Sequence, residues 1–250
     1  MSLALLIGVI PAQAELVQVD PGKIARGRLI IGTGQNLPSL DSKTTYTAGP
    51  GFAAQLNRYY RSGRAKRDQR QVSHAAMRAV RQWIESNCAG TRRRAVKDCR
   101  AMVVFDIDDT LLNNYRFYST TSPAFSLDPT GYNAWVASCG SPANVPVRKL
   151  FLKLRDLGVR LALITGRRET QRRATKDCLT RRGITGWQSL RLRSAYEETL
   201  SAAVYKARAR RALHARGFHI IASVGDQVSD MANGHFKYGF LLPNLFRYIP

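Results

Sequence analysis

The sequence predicts an α/β fold in which a parallel sheet is flanked by helices. Three short apolar runs, at 101–105, 160–164 and 220–224, are continuous rather than alternating, which is typical of strands buried on both faces of a parallel sheet. Helical patterns lie before and between these runs, as an α/β protein requires. We therefore expect the three runs to be buried strands of one such sheet.

Two helical segments can be placed from their apolar spacing. The first covers about 68–87, with arginines on the opposite face from its apolar residues. Those apolar residues are Val72, Ala75, Ala76, Ala79, Val80 and Trp83. The second contains Val204 and continues through Ala215. We expect the first helix to pack against the main domain.

The N-terminal part of the chain carries less information. Residues 3–10 are apolar and are followed by Pro11-Ala12-Gln13-Ala14, so residues 1–14 are interpreted as a signal peptide. The alternative is an ordinary buried strand or helix. No Lys or Arg precedes the run, so the basic n-region is missing, which is consistent with a start site upstream of Met1. Residues 15–67 are rich in turn signals, and we expect a loosely ordered extension before a domain at 68–250.

Composition indicates a globular protein with a large excess of positive charge. The 250 residues are 44% hydrophobic, and 39 Lys and Arg against 17 Asp and Glu give a formal net charge of +22. Such a charge favours polyanionic partners, including nucleic acid, anionic surfaces and phosphorylated small molecules. The distribution is uneven, because 51–100 holds 13 basic and 3 acidic residues while 101–150 holds 3 and 4. A basic surface is therefore expected around a locally acidic stretch. No run after residue 14 approaches transmembrane length.

The four cysteines permit disulfides in an exported chain. Cys88 and Cys99 flank a basic turn, so a local bridge between them is plausible. For Cys139 and Cys178, pairing and free buried thiols stay equally open. Their spacing resembles no zinc site.

The first strand ends in a pair of carboxylates, Asp106 and Asp108. Open α/β sheets bind ligands at the carboxyl edge of their strands. Two carboxylates at that edge repel each other unless a cation neutralises them, and hard oxygen ligands favour Mg²⁺. The alternative for this pattern alone is an acidic surface turn.

Three later features favour a ligand-binding site over an acidic surface turn. The second strand ends in Thr165-Gly166-Arg167, where a hydroxyl, a permissive backbone and a cation can bind phosphate oxygens. Lys206 on the second helix offers a further point charge. The third strand ends in a Gly-Asp pair followed by a second acid, which places Asp226 and Asp230 at another strand end.

The order of these features resembles the four motifs of the haloacid dehalogenase (HAD) superfamily. The run Asp106-Ile107-Asp108-Asp109-Thr110-Leu111-Leu112-Asn113-Asn114 is similar to the D-[IL]-D-E-T-x-L-x-N signature of subfamily IIIB. That subfamily comprises bacterial class C acid phosphatases and plant acid phosphatases of the vegetative-storage-protein type. The resemblance runs from about Val72 to the last residue. Asp109 departs from the usual Glu, and we expect this residue to face away from the nucleophile. Phe117 stands where Tyr is expected.

The resemblance implies a Rossmann-like sheet with a small helical cap inserted after the first strand motif, at about 113–148. It implies that Asp106 is the nucleophile and that Asp108 is the general acid and base. Mg²⁺ is expected on the Asp106 side chain, the Asp108 backbone carbonyl and Asp226, with Asp230 direct or through water.

The resemblance also implies that Thr165, the Gly166 amide and Lys206 hold the phosphoryl group. Contacts with the leaving-group part of the substrate are expected from Asn114, Tyr115, Phe117 and Tyr118 of the cap, and from Arg167. The alternative for the aromatic residues of the insert is that they form only its core.

The expected function is that of an Mg²⁺-dependent acid phosphatase acting on small phosphomonoesters. A non-catalytic storage or polyanion-binding protein on the same scaffold, or a phosphotransferase, is the alternative. A specific nucleic-acid partner is disfavoured because no recognition motif accompanies the charge. We expect export to the medium, the cell surface or the periplasm, with weak association with anionic cell-surface polymers. The oligomeric state is not predicted.

Overall fold

The computed structural model describes residues 15–19, 28–36 and 46–249. The strands in this part of the chain are β1 (Val17–Gln18), β2 (Leu29–Gly32), β3 (Tyr46–Thr47), β4 (Ala101–Phe105), β5 (Arg160–Arg168), β6 (Ser189–Arg193), β7 (His219–Gly225), β8 (Tyr238–Leu241) and β9 (Arg247–Tyr248). The helices are α1 (Ala53–Arg61), α2 (Arg64–Asn87), α3 (Arg93–Asp98), α4 (Tyr115–Thr120), α5 (Pro129–Ala137), α6 (Val145–Asp156), α7 (Arg172–Arg181) and α8 (Ala202–Ala215).

Seven strands form one twisted sheet in the order β1-β2-β8-β7-β4-β5-β6. All neighbouring pairs from β2 to β6 are parallel, and β1 is antiparallel to β2. The three predicted strands are β4, β5 and β7, which lie side by side, and every residue of β4 is buried. The predicted α/β class with a helix-flanked parallel sheet is confirmed. Because the three strands are parallel, their carboxyl ends meet at one edge.

Helices cover both faces of the sheet. On one face Val103 and Phe105 of β4 pack in a cluster with α2, α3, α6 and α7. On the other face Met102 and Val104 pack with Tyr205 and other apolar residues of α8. The alternation along β4 follows from the two-residue period of a strand. This burial on both faces explains the continuous apolar sequence of the run.

Helix α2 begins at Arg64, one turn before the predicted start, and ends at Asn87 as predicted. Val72, Ala75, Ala76 and Val80 are buried against the sheet. The amphipathic spacing therefore placed the correct face on the core. Among the described residues no helix is both long and apolar enough to cross a membrane.

The predicted cap segment, 113–148, contains α4 and α5 and the first turn of α6. Helix α5 begins at Pro129, and the Asp128 side chain caps it by accepting a hydrogen bond from the Gly131 amide (2.9 Å). Helix α6 packs on α2 and so belongs to the main helical layer. The part that stands over the sheet edge is therefore made by α4 and α5.

The described residues of 15–67 differ from the expected loosely ordered extension. Strand β2 pairs in parallel with β8 and extends the sheet, and β3 pairs with β9 near the C-terminus. Helix α1 buries Leu56 in a cluster with Tyr118 and Phe125 of the cap segment. The strands have only two to four residues, too few to show a pattern in the sequence. The predicted signal peptide, 1–14, lies outside the described residues.

Both cysteine pairs are disulfides. The expected local bridge joins Cys88 to Cys99, from the C-terminal end of α2 to the C-terminal end of α3. Cys139 is bonded to Cys178, so the end of the cap segment is tied to α7. The alternative of free buried thiols at these two positions is therefore wrong. Stable disulfides are typical of proteins that mature in an oxidising compartment.

Candidate active site

The strand ends bring the predicted site residues to one edge of the sheet. Asp106 directly follows β4, Thr165 lies near the end of β5, and Asp226 directly follows β7. Asp230 ends a single helical turn, Val228–Asp230, that continues from β7. Lys206 reaches the same edge from the first half of α8. These residues, separated by up to 124 positions in the chain, line or underlie one cavity.

Three buried carboxylates form the floor of the cavity. Oxygens of Asp106, Asp226 and Asp230 all lie within 4.8 Å of one another. The ammonium group of Lys206 is 3.0 Å from Asp106 Oδ1 and 2.5 Å from Asp230 Oδ1. Burial raises the pKa of Asp106 well above its usual range, although the Lys206 charge opposes that shift. The floor therefore holds more negative charge than its one lysine balances.

Asp226 is held by a set of side-chain donors. The Thr110 hydroxyl donates to Asp226 Oδ1 (3.0 Å), and the side-chain amides of Gln227 and Asn244 donate to Oδ2 (2.6 and 2.7 Å). Burial and the nearby Asp230 charge nevertheless raise the pKa of Asp226 to about 6. The Asp226 carboxylate is thus fixed in position, although it ionises less readily than a solvent-exposed aspartate.

This arrangement fits a divalent cation. When ionised, Asp106, Asp226 and Asp230 carry three negative charges, and Lys206 supplies one positive charge, which leaves two negative charges unbalanced. The ligand atoms offered are carboxylate oxygens, the type that Mg²⁺ and Ca²⁺ select. A bound cation would also remove the reason for the raised pKa values, because it favours the ionised carboxylates. The charges and the donor set therefore support a hard divalent metal here.

Asp108 lies beside the floor and is clamped by Arg167. The Arg167 Nε and Nη2 groups donate to the two Asp108 oxygens at 2.8 Å each, and Asn114 Nδ2 donates to Oδ1 (3.1 Å). Burial opposes ionisation, but the Arg167 charge, with hydrogen bonds from Arg167, Tyr132 and Asn114, lowers the pKa of Asp108 to about 2. In this arrangement Asp108 is a carboxylate at neutral pH.

The Thr165 and Gly166 segment is suited to a close ligand. Thr165 is buried, and its hydroxyl accepts a hydrogen bond from the Arg167 amide (3.2 Å). A Cβ atom added at Gly166 would meet no protein atom within 4 Å. Neighbouring protein atoms therefore do not require a glycine at this position. A ligand that lies close to the backbone here would require one, because a side chain would block it.

The cap residues divide into two groups. Phe117 and Tyr118 line the cavity, and Tyr132 joins them, with ring centroids 5.4 Å from Phe117 and 6.1 Å from Tyr118. Tyr115 instead stacks on Tyr60 of α1 at 4.3 Å and is not part of the cavity lining.

Asn114 is fully buried and contacts the site through hydrogen bonds to Asp108, Asp109 and the Tyr132 hydroxyl. Its side-chain oxygen accepts hydrogen bonds from Trp135 Nε1 (3.1 Å) and the Ser141 hydroxyl (2.5 Å). It acts as a link between the cap and Asp108 rather than as a surface for substrate.

The cavity above these groups has a volume of about 370 Å³. Asp106, Asp108, Thr165, Gly166 and Lys206 line it at the strand ends, and one side is the aromatic group Phe117, Tyr118 and Tyr132. Asp109 also lines it, although the sequence led us to expect that this residue faces away from the nucleophile. The volume is in the range of small-molecule sites.

Several supporting residues were not predicted. Thr110, Gln227 and Asn244 orient Asp226, as described above. Arg210 on α8 is 1% exposed and donates to the carbonyls of Asp230 and Gly234 (2.9 Å each) and of Ala232. It therefore fixes the loop that carries Asp230. The only sequence signal was that Arg210 and Asn244 lie in the stretches that resemble subfamily IIIB.

Comparison with known families agrees with this geometry. The model of the family described as HAD superfamily, subfamily IIIB (Acid phosphatase) matches residues 43–250. The chain belongs to this family. The match begins before residue 68, so it takes in β3 and α1 as well as the predicted domain.

Similar curated proteins come from plants. The chain is 34% identical over 154 residues to Acid phosphatase 1 of Solanum lycopersicum, which covers 61% of this chain and 60% of that protein. It is 30% identical over 149 residues to Vegetative storage protein 2 of Arabidopsis thaliana, with 59% and 56% covered. It is 33% identical over 150 residues to the Stem 28 kDa glycoprotein of Glycine max, with 58% and 59% covered. The aligned part is thus less than two thirds of each relative.

A solved structure shares the fold. The class C acid phosphatase from Bacillus anthracis superposes with a TM-score of 0.62 at 16% identity, covering 78% of this chain and 84% of that one. At this identity the likeness concerns the fold, namely the mostly parallel sheet flanked by helices. The resemblance inferred from the motifs is therefore confirmed at the level of family and fold.

Proposed function

We propose that this protein is an Mg²⁺-dependent acid phosphatase that hydrolyses phosphomonoesters through an aspartyl-phosphate on Asp106. The observation that carries the proposal is the convergence of two carboxylates, Asp106 and Asp108, with Lys206 and the acidic pair Asp226 and Asp230 in one cavity. Family membership supports the same activity.

In the first step an oxygen of Asp106 attacks phosphorus. An O–P bond forms to the carboxylate, the ester O–P bond breaks, and the leaving alkoxide takes a proton from Asp108. In the second step water attacks phosphorus, Asp108 takes a proton from that water, and the Asp106–phosphate bond breaks. Inorganic phosphate leaves and both carboxyl groups return to their initial states.

Fixed positive charges stabilise the phosphoryl group during both steps. The Lys206 ammonium lies against Asp106 already, and the Thr165 hydroxyl and the Gly166 amide lie at the end of β5 beside it. Asp106, the Asp108 backbone carbonyl, Asp226 and Asp230 would hold Mg²⁺, which would supply further positive charge to the phosphoryl group. Phe117 and Tyr118 cover the leaving-group side.

The role of Asp108 as an acid requires a change at Arg167. While Arg167 clamps both oxygens of Asp108, that carboxyl group is ionised and cannot donate a proton. A phosphate dianion in the cavity competes for the same guanidinium. When Arg167 turns to the substrate, Asp108 loses the charge that lowers its pKa, and burial then favours its protonated form. Substrate binding thus prepares the acid.

A storage role is the alternative, since two of the curated relatives are named vegetative storage proteins. The presence of both Asp106 and Asp108 favours catalysis, because storage alone requires neither. Transfer of the phosphoryl group to an alcohol uses the same intermediate and is measured by product analysis. The two disulfides support export, and the basic surface supports weak association with anionic cell-surface polymers.

The test is hydrolysis of p-nitrophenyl phosphate. Asp106→Asn should abolish turnover while the circular dichroism spectrum and the unfolding midpoint remain close to those of the wild type. EDTA should abolish turnover reversibly, with recovery on addition of Mg²⁺. Asp98→Asn, which removes an exposed carboxylate on α3, is the matched control and should turn over normally. Undiminished turnover by Asp106→Asn would refute the mechanism.

A further inference from the structure

One side of the cavity carries cations that the proposed hydrolysis does not use. Arg168 ends β5 and Arg193 ends β6, and the two are register partners on neighbouring strands. Both line the cavity. Like charges placed opposite each other on adjacent strands destabilise a sheet. The pair therefore has a cost in stability that the fold itself does not require.

Arg193 is held in place and has no acidic partner among the residues that the structure describes. Its Nη1 group donates to the Leu200 carbonyl (3.0 Å), and its guanidinium carbon lies 5.1 Å from the centre of the Tyr205 ring. No carboxylate of the described part of the chain lies within 4.0 Å of it, whereas Arg191, two residues earlier, pairs with Glu197. The charge of Arg193 is thus fixed in place and uncompensated.

Arg168 contributes a second charge. It lies 3.3 Å from Glu198, but both side chains of that pair are exposed, so the interaction contributes little. The guanidinium can therefore turn to a ligand in the cavity at small cost. Two cations from adjacent strand ends then face the same space.

The polar neighbours of these cations also offer donors. Gln171 Oε1 accepts from the Arg168 amide (3.0 Å), and Gln171 Nε2 donates to Asn133 Oδ1 (3.2 Å). Both side-chain oxygens are occupied, and the Asn133 amide nitrogen donates to no other described residue. A side of a cavity that presents two guanidinium groups and an amide N–H selects an oxyanion.

The position of this side relative to the reacting phosphate follows from strand geometry. Arg168 is three residues beyond Thr165 along β5, but the β5–β6 register shifts between Ile164 and Arg168. The four residue steps of β5 advance only as far as two steps of β6, which is about 7 Å at about 3.3 Å per residue. Arg167, between them, pairs with Asp108 and in the proposed hydrolysis turns to the reacting phosphate. The distance exceeds the size of one phosphate group, so a single phosphate cannot occupy both places.

We propose that Arg193 and Arg168, with Asn133, form a subsite for a second oxyanion of the substrate. The preferred substrates are phosphomonoesters that carry another phosphate or a carboxylate about 7 Å from the reacting phosphorus. This inference rests on the proposed phosphatase function. Arg193 and Arg168 are specificity residues in it and take no part in the chemical steps.

The experiment compares three substrates with the same alkyl chain. These are hexyl phosphate, hexane-1,6-diol bisphosphate and 6-hydroxyhexanoate phosphate, so the second group is absent, a phosphate or a carboxylate. For the wild type, kcat/KM should be at least about tenfold higher for a substrate with a second oxyanion than for hexyl phosphate. The value for the bisphosphate is corrected for its two equivalent esters. The carboxylate and bisphosphate arms identify which oxyanion is preferred.

Variants separate the subsite from a structural role. Arg193→Gln should reduce the preference to below about threefold and leave kcat/KM for hexyl phosphate unchanged, while Arg193→Lys should retain part of the preference. Arg173→Gln removes one exposed charge outside the cavity and should retain all of it. If Arg193 only fixed the Leu200 loop, the variant would lose activity on all three substrates equally, which would overturn the proposal.

A binding measurement separates this inference from the proposed function. In calorimetric titrations of the Asp106→Asn variant with Mg²⁺ present, hexane-1,6-bisphosphonate should bind at least about tenfold more tightly than hexylphosphonate. The added Arg193→Gln change should remove that difference. Hydrolysis of p-nitrophenyl phosphate without either preference would leave the phosphatase and overturn the subsite. Absence of hydrolysis with the binding preference intact would overturn the phosphatase alone.

Discussion

Binding of Mg²⁺ should release protons and weaken at acid pH. A metal ligand must be ionised, and Asp226 has a pKa raised to about 6 by burial and by Asp230. At pH 5 only about 9% of Asp226 is then ionised, against about 91% at pH 7. The apparent Mg²⁺ affinity should therefore fall at least about tenfold between pH 7 and pH 5. The raised pKa of Asp106 acts in the same direction.

Isothermal titration calorimetry of the metal-free protein measures both quantities. Titrations in two buffers of different ionisation enthalpy should give at least about 0.9 protons released per Mg²⁺ at pH 5 and at least about 0.5 at pH 6. Asp226→Asn should weaken binding at pH 7 and reduce the number of protons released. Asp98→Asn, an exposed carboxylate, is the control and should behave as the wild type. An affinity that does not change between pH 5 and pH 7 would refute the electrostatic account of the floor.

The same pKa predicts the pH dependence of stability in the absence of metal. Because the folded state holds the Asp226 proton more tightly than the unfolded state, the contribution of Asp226 to stability is lost as pH rises from the model-peptide pKa of about 4 through about 6. The loss relative to Asp226→Asn should approach about 3 kcal/mol. Urea unfolding of both proteins at pH 4 and pH 7 measures it, and Mg²⁺ at pH 7 should reverse it.

Two predictions concern the frame of the site. Replacing both cysteines of Cys139–Cys178 with alanine should lower the free energy of unfolding by about 4 kcal/mol, and the same change at Cys88–Cys99 by about 3 kcal/mol, because the closed loops span 39 and 11 residues. Urea unfolding of the two variants measures this difference. An equal or reversed order would contradict the loop-entropy argument. Arg210→Met should cost about 3 kcal/mol, because the carbonyls of Ala232 and Gly234 lose the Arg210 donor and the Asp230 carbonyl keeps only the Ser223 hydroxyl. The change should also weaken Mg²⁺ binding in calorimetry; unchanged Mg²⁺ affinity would show that the Asp230 loop does not depend on this side chain.

The central sheet and the floor of the site were predictable for one physical reason. A strand buried on both faces must be apolar throughout, so β4, β5 and β7 stand out in the sequence. In a parallel sheet the residues that follow such strands share an edge. Asp106, Thr165 and Asp226 could therefore be brought together before any coordinates were known.

The support for Asp226 could not be predicted in the same way. Thr110, Gln227 and Asn244 come from three separate loops, and nothing in their local sequence indicates a common partner. Their convergence depends on how the loops after β4, β7 and β8 pack. Side-chain amides and hydroxyls occur in many loops, so the residue types carry little information.

The orientation of the cap residues depended on an element that the sequence did not indicate. Tyr115 and Tyr118 are three positions apart on α4, and both were expected at the pocket. Helix α1 takes Tyr115, since Tyr60 stacks on it and Asn57 accepts its hydroxyl hydrogen bond (2.7 Å). With residues 15–67 expected to be loosely ordered, this partner was missing, so the side of α4 that faces substrate could not be assigned.

The charges around the floor carboxylates predict an order of binding. When ionised, Asp106, Asp108, Asp226 and Asp230 carry four negative charges, and Lys206 and Arg167 offset two. A phosphate dianion that approaches these groups would meet two unbalanced negative charges at close range, where the low dielectric makes repulsion strong. A divalent cation held by the carboxylates would cancel them. We therefore predict that the metal binds before the phosphate, so that the pH dependence of metal binding caused by Asp226 also appears in substrate binding.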